Sequence, residues 1–378
     1  MENSGEMLCS YDEWSRLREV VVGTASGLKM YQIDRTFAAF YFENIYGPIS
    51  GAASERPGDV SLSISFASKV IEELTEDIEG LVKAIEDYGA KVLRPASAIP
   101  NVEIKTPYWK SFATAPLNVR DQTIILGNTI VETAPQIRGR IFENDSLKPI
   151  FQNYFDHGAA WLSMPRPTLG SEALDLSYLI DSGYEPLAHL PEDEAASVSG
   201  LGYEMLLDGA QCVRLGRDVL VNVANSNHHR GLKWLQRCLG HEFRFIRVYR
   251  LADSHIDSLV LPLRPGLLLL RSYSVMDYLP ASMSNWDTIL APTAIVPRFP
   301  TYPGPLTGLA SKYIDMNVLS LDENTVVVNS LYPELIATLE ARRFTVVPVR
   351  HRHRRLFGGG FHCFTLDCVR DGKLETYL

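Results

Sequence analysis

Apolar residues recur at three- and four-residue spacing across residues 66–88 (Val70, Ile71, Leu74, Ile78, Leu81, Val82 and Ile85), which predicts an amphipathic helix. Gly89 marks its end, and Lys91-Val92-Leu93 reads as the strand that follows. The same phrase of helix, break and strand returns in GLKWLQRCLGHEFRFIRV from Gly231 and in PELIATLEARRFTVVPV from Pro333. Between these phrases lie β-branched and aliphatic runs with turn residues at their middle: TIILGNTIVET from Thr123, LVLPLRPGLLLL from Leu259, MNVLSLDENTVVV from Met316 and a weaker pair around Gly216 in CVRLGRDVLVNV. Each reads as a hairpin. A further strand is expected over residues 19–23, after a turn containing Trp14. The recurring unit is hairpin, helix, strand, present about five times, as in an internally repeated α/β module.

No Gly/Ser linker or charge run divides the chain, and residues 49–58, 185–200 and 291–307 read as surface insertions, so residues 1–378 are expected to form one domain. The composition, 46% hydrophobic and 21% charged, is that of a folded globular protein. A formal charge of −9 disfavours a phosphate backbone as partner. Residues 1–10 lack the basic start and apolar core of a signal peptide, and the most apolar stretch, 259–270, carries Arg264 and two prolines and is too short to span a bilayer. Five scattered cysteines fit a reducing compartment, so a cytoplasmic protein without membrane or nucleic-acid partners is expected. No CxxC or HExxH occurs, and the pairs His228/His229 and His351/His353 lack a second spaced ligand set, so no metal site is expected.

Polar residues disfavoured in core strands stand at the hairpin ends: Arg120-Asp121, Asp208, His255 and Asp257, and Ser311-Lys312. The last unit places Cys363 just after the glycines of GGGFHC, a loop that lets backbone approach a ligand closely. A cysteine, a histidine and a carboxylate form a coherent set, with the thiolate as nucleophile, the imidazole moving protons and the carboxylate fixing its tautomer. Asp121 and Asp257 exceed what that set needs. Carboxylates match a planar guanidinium by paired charge-assisted hydrogen bonds, so a cationic guanidine substrate is inferred. Cys9, Cys212 and Cys238 read as inert packing thiols, Cys363 as a surface-proximal one, and the basic run RHRHRR (350–355) as a solvated loop face.

At these residues the sequence resembles the amidinotransferases, which include the glycine and inosamine-phosphate enzymes. The motifs run in order along nearly the whole chain: YDEWSRLREVVVG from Tyr11, KTP from Lys105, RD at Arg120-Asp121, RLGRD from Arg214, HIDS from His255, SK…MNVL from Ser311, GGGFHC from Gly358 and ETYL at the end. The resemblance implies a single-domain, pseudo-fivefold α/β propeller of the pentein type, built of ββαβ modules. It implies Cys363 as the nucleophile that takes an amidino group from L-arginine, His255 as general acid/base and Asp208 as its carboxylate partner. It further implies Asp121 and Asp257 as the guanidinium grip, with Ser311 and Arg120 among the donor-binding residues, no cofactor, small-molecule substrates, and the homodimer common among relatives.

Departures from the family pattern bear on specificity. Where many relatives read NPDRP after the third hairpin, this chain reads LRSYSVMDY, with Ser274 at the place of an arginine that contacts a carboxylate. Either Arg271 substitutes for it or the acceptor lacks a carboxylate. Gln211 and Ala310 replace a further Asp and Ser, and these changes argue against glycine as acceptor; the overall wording resembles the secondary-metabolism branch that includes cyanobacterial toxin enzymes. A hydrolase of the same superfamily, resembling arginine deiminase, is the alternative, because it shares the first half of the chemistry.

Overall fold

The computed structural model describes residues 7–40, 62–96, 101–170, 173–175, 202–293, 300, 302 and 310–378. Five three-stranded sheets share one plan: an antiparallel pair, then a third strand parallel to the second. The pairs are Thr123–Leu126 with Thr129–Glu132, Cys212–Leu215 with Asp218–Val223, Val260–Arg264 with Leu267–Leu270, and Leu319–Asp322 with Thr325–Asn329. Their third strands are Ala160–Ser163, Arg244–Tyr249, Asp287–Leu290 and Thr345–Val349. The remaining sheet joins the two ends of the chain: Thr365–Arg370 runs antiparallel to Leu17–Val22, which lies parallel to Lys91–Leu93.

A parallel neighbour cannot be reached by a tight turn, so each unit needs a crossover. Helices Ser68–Tyr88, Lys148–Asp156, Ser226–Leu239 and Pro333–Ala341 provide four of them. In the first, Leu74, Ile78, Leu81 and Ile85 form the buried stripe that the spacing predicts, and Gly89 closes the helix at φ 96°, a conformation that costs any side chain. The third begins five residues upstream of Gly231, because the Asn225 side chain accepts the His228 N–H at 3.0 Å and caps it. Lys148–Asp156 was not foreseen; it is short and buries only Phe151 and Tyr154, too few positions to display a period. The fourth crossover departs from the module. It consists of the 3₁₀ turns Tyr273–Tyr278 and Ala281–Met283, separated at Pro280, which lacks the N–H needed to continue a helix. Outside the repeat, Met30–Ile33 pairs with Leu62–Ser65, and Glu103–Lys105 with Lys110–Phe112.

The helix stripe of Ser68–Tyr88 packs in one cluster with Val20, Val22, Leu319, Phe357 and Phe361, which ties the first helix to the segment that carries Cys363. The run 350–355 is not a solvated face. His351, His353 and Arg354 are buried, Arg352 and Arg350 bond Asp77, His353 meets Glu73 at 2.9 Å, and Arg354 meets Asp315 at 2.9 Å. The acidic face of Ser68–Tyr88 supplies the carboxylates that draw most of this basic run inward. Residues 49–58 and 185–200, and all of 291–307 except 291–293, 300 and 302, lie outside the described residues. Among the described residues no helix is long and apolar enough to cross a membrane.

Candidate active site

The site is assembled from the segments that lead into the first strand of each sheet. Asp121 precedes Thr123–Leu126, Asp208 precedes Cys212–Leu215, His255 and Asp257 precede Val260–Arg264, Asn317 precedes Leu319–Asp322, and Cys363 precedes Thr365–Arg370. His255, Asp257, Arg271, Ser311 and Cys363 line one cavity together with Phe40, whose ring meets the His255 ring edge-on at 4.8 Å. Gly358 turns the thiol-bearing loop at φ 67°, and a Cβ on Gly360 would lie 2.7 Å from the Asn317 carbonyl oxygen, so the loop seats only without a side chain there. Phe361 and Phe364 anchor it in the core. Asn317 then fixes the nucleophile: its Oδ1 accepts the Cys363 N–H at 2.9 Å, and its Nδ2 donates to the Asp257 carbonyl at 3.3 Å. The thiol, expected near the surface, is buried at 2% exposure, with Sγ donating to Asp257 Oδ2 at 3.4 Å.

His255 Nε2 stands 2.9 Å from Asp208 Oδ2, while its Nδ1 faces Asp121 Oδ1 at 3.8 Å. Burial pushes the imidazole down, but Asp121, the hydrogen bond to Asp208 and their charges outweigh it and raise His255 to about 9. At neutral pH it is therefore a proton donor. Burial, followed by the charges of Asp257 and Asp121, holds the Cys363 thiol well above its ordinary value, so the thiol is neutral at pH 7. Asp257 goes the other way: burial raises it, but its bond to His362 and the nearby imidazoles carry it below the usual carboxylate value.

Asp121 is held by Arg140, whose Nη1 donates to Oδ2 at 2.7 Å, and Arg140 is itself anchored by Glu143 through Nε at 2.5 Å and Nη2 at 2.9 Å. The other Asp121 oxygen, Oδ1, is buried and has no hydrogen-bond partner among the described residues. An acceptor kept in that condition costs free energy until a donor arrives, as a guanidinium N–H would. Asp208 is set by Gln211, whose Oε1 accepts the Asp208 N–H at 2.9 Å and whose Nε2 donates to the Asn222 carbonyl at 2.9 Å.

The structure places Cys363, His255, Asp208, Asp121 and Asp257 together, with Ser311 and Arg271 on the cavity wall. The Arg271 guanidinium lies 5.0 Å over the Tyr313 ring. Ser274 is exposed, and its Oγ lies 2.8 Å from Ser272 Oγ. Arg120 is a correction. Its guanidinium turns away from the cavity to Asp367 at 2.6 Å, Glu13 at 3.3 Å and the His362 carbonyl at 2.8 Å, within a buried network with Arg214. Arg120 and Asp121 lie in the turn that leads into Thr123–Leu126, where the Asp121 N–H donates to the Asn118 carbonyl at 3.1 Å, and the two side chains leave that turn in different directions, which is why adjacency misleads. Three residues of the site were not singled out in the sequence: Asn317 and His362, which lie inside motifs quoted above, and Arg140, which no pattern marks.

Comparison with known proteins agrees with this geometry. No family model matches the chain. It is 32% identical over 372 residues to inosamine-phosphate amidinotransferase 1 of Streptomyces glaucescens, covering 97% of this chain and 98% of that protein. It is 32% identical over 378 residues to the L-arginine:L-lysine amidinotransferase of Pseudomonas savastanoi pv. phaseolicola, covering 98% and 96%. The solved inosamine-phosphate amidinotransferase of Streptomyces griseus superposes with a TM-score of 0.81 at 29% identity, covering 99% of both chains. SxtG, an amidinotransferase of the saxitoxin pathway from Microseira wollei, does so with 0.79 at 26%, covering 98% and 99%. A DDAH from Pseudomonas aeruginosa, at 11% identity, a TM-score of 0.54 and coverage of 93% and 99%, shares the α/β fold of the penteins. The identity and coverage of these relatives, together with the thiol, imidazole and carboxylates gathered at the hairpin ends, show that the chain belongs to the amidinotransferase family.

Proposed function

We propose that the protein transfers the amidino group of L-arginine to a primary amine other than glycine, through a covalent amidino-Cys363. The observation that carries the reading is the pairing of an Asp121 Oδ1 that accepts no hydrogen bond among the described residues with an Asp257 carboxylate in contact with the Cys363 thiol, two acceptors available to one guanidinium. Burial and the carboxylate charges hold the proton on sulfur; seating the cation cancels those charges, so the thiol proton passes to solvent as the donor binds and returns to the freed thiolate as the product leaves. The thiolate attacks the guanidinium carbon, forming the C–S bond. His255, cationic beforehand, gives its proton to the δ-nitrogen of the departing ornithine as the C–N bond breaks. Neutral His255 then takes a proton from the incoming amine, whose nitrogen attacks the amidino carbon and expels the thiolate. Arg271 is assigned to a substrate carboxylate and Ser311 to the donor. The inosamine-phosphate and lysine acceptors named for the relatives favour an acceptor larger than glycine.

The same reading extends to architecture. Five equivalent sheets whose leading segments converge on one site, with the C-terminal strand closing the first sheet, support one domain of five units arranged around an axis, the hairpin ends facing it.

The test is incubation with arginine alone, with ornithine and citrulline quantified and the Cys363 peptide weighed. Stoichiometric ornithine with an amidino adduct on Cys363 is expected. Continuous citrulline identifies a hydrolase instead and overturns the proposal.

A further inference from the structure

Next to the nucleophile stands a second histidine that the steps above leave without a task. His362 is 3% exposed, and each of its ring nitrogens faces a carboxylate oxygen: Nδ1 lies 2.8 Å from Asp257 Oδ2, and Nε2 lies 3.3 Å from Glu13 Oε2. The Asp257 oxygen that His362 holds is the one the Cys363 thiol reaches at 3.4 Å. The ring is itself held. Glu13 is clamped by Arg214, and Arg120 Nε donates to the His362 carbonyl at 2.8 Å. A rigid charged network beneath the site therefore extends through one imidazole to a carboxylate at the reacting sulfur.

Building on the amidinotransferase reading, we propose that His362 is a positioning residue: its Nδ1–H fixes the Asp257 carboxylate beside Sγ, so that the donor guanidinium is gripped with its carbon within reach of the thiolate. Asp257 is 1% exposed, and a buried carboxylate without a donor turns toward the neutral form or toward another partner. The groups that face it are His255 and Cys363 across the cavity, and His362 and Asn317 beneath it. Of these His362 does most to favour the charged carboxylate against burial. Arg120, the nearest guanidinium in sequence to the other gripping aspartate, is occupied by Glu13 and Asp367 and gives Asp257 nothing.

The test uses two substitutions of equal polarity. Asparagine carries its amide N–H near the place of the histidine Nδ1, and glutamine near that of Nε2, so His362→Asn retains the donor to Asp257 and loses the one to Glu13, whereas His362→Gln does the reverse. Single-turnover formation of amidino-Cys363 from arginine is followed by peptide mass across pH 4.5–8. Loss of one hydrogen bond to a charged group slows adduct formation by about 10- to 100-fold in His362→Gln. His362→Asn is expected within about threefold of the unsubstituted protein, and in His362→Gln the acid limb of the apparent KM for arginine moves up by about one to two pH units. Equal loss in both variants, or none in either, overturns the proposal, because a ring that only fills space does not distinguish the two amides. Failure of the unsubstituted protein to form any adduct refutes the transferase reading instead, and the inference falls with it.

Discussion

Replacing Asp208 with asparagine keeps the shape of the site and removes the charge that His255 Nε2 meets at 2.9 Å. The imidazole is raised from 6.5 to about 9 against the opposing effect of burial, and Asp208 shares that work with Asp121, which faces Nδ1 at 3.8 Å. A hydrogen bond to a charged group is worth about 1.5–3 kcal/mol, or about one to two pKa units. With Asp121 still in place, the alkaline limb of the arginine half-reaction is expected to move about one to two units toward acid in Asp208→Asn. The assay is single-turnover release of ornithine from pH 6 to 10 with no acceptor present, so that ionisation of the attacking amine does not enter the profile. The same shift bears on folding. A histidine raised on folding adds stability that is fully present below 6.5 and is lost as pH rises through about 9, here about 3 kcal/mol at most. The denaturation midpoint of the unsubstituted protein should therefore fall across that window, and that of the variant should fall less. An alkaline limb unchanged in Asp208→Asn would refute the pairing as the source of the proton donor.

Four further outcomes follow from the same geometry. Cys363→Ser should form no arginine adduct and release only background ornithine while its melting midpoint stays within a few degrees, as peptide mass and calorimetry would check; residual adduct elsewhere would move the nucleophile. Arg140→Met strands the buried Asp121 and Glu143 carboxylates and should cost about 3–5 kcal/mol in urea denaturation, with one binding-competent aspartate lost. Gly360→Ala brings a Cβ to 2.7 Å from Asn317, and a thiol displaced by about 1 Å should lose about 100-fold in adduct formation, read by the same mass assay. Arg271→Ala should raise the KM for arginine at least about tenfold with kcat within about threefold, the mark of a group that binds ground and transition states alike.

The repeat was legible because its elements carry long local signals. The stripe Leu74, Ile78, Leu81, Ile85 ends at a glycine that adopts φ 96°, and four hairpins sit where the apolar runs and turn residues place them. Where the signal was short or absent, local context decided: Pro280 splits the fourth crossover into 3₁₀ turns, and Lys148–Asp156 buries two side chains only. The site divides along the same line. Asp121, Asp208, His255, Asp257 and Cys363 were visible because each is a polar residue at the mouth of an apolar strand. Such a residue is expensive there unless it has partners or a substrate. What the linear pattern does not encode is which of two neighbouring polar residues faces inward. Asp121 enters the site while Arg120 joins Glu13 and Asp367 beneath it, and Cys363 enters while His362 turns to Asp257 and Glu13. In both pairs the residue facing away from the cavity belongs to the buried ionic network and the other to the chemistry. Both pairs sit in turns at the head of a strand, where the Asp121 N–H donates to the Asn118 carbonyl at 3.1 Å and the Thr365 N–H to the His362 carbonyl at 3.2 Å, and the turn sends the two side chains apart, so one pair of residues both builds the support and presents the reactive group.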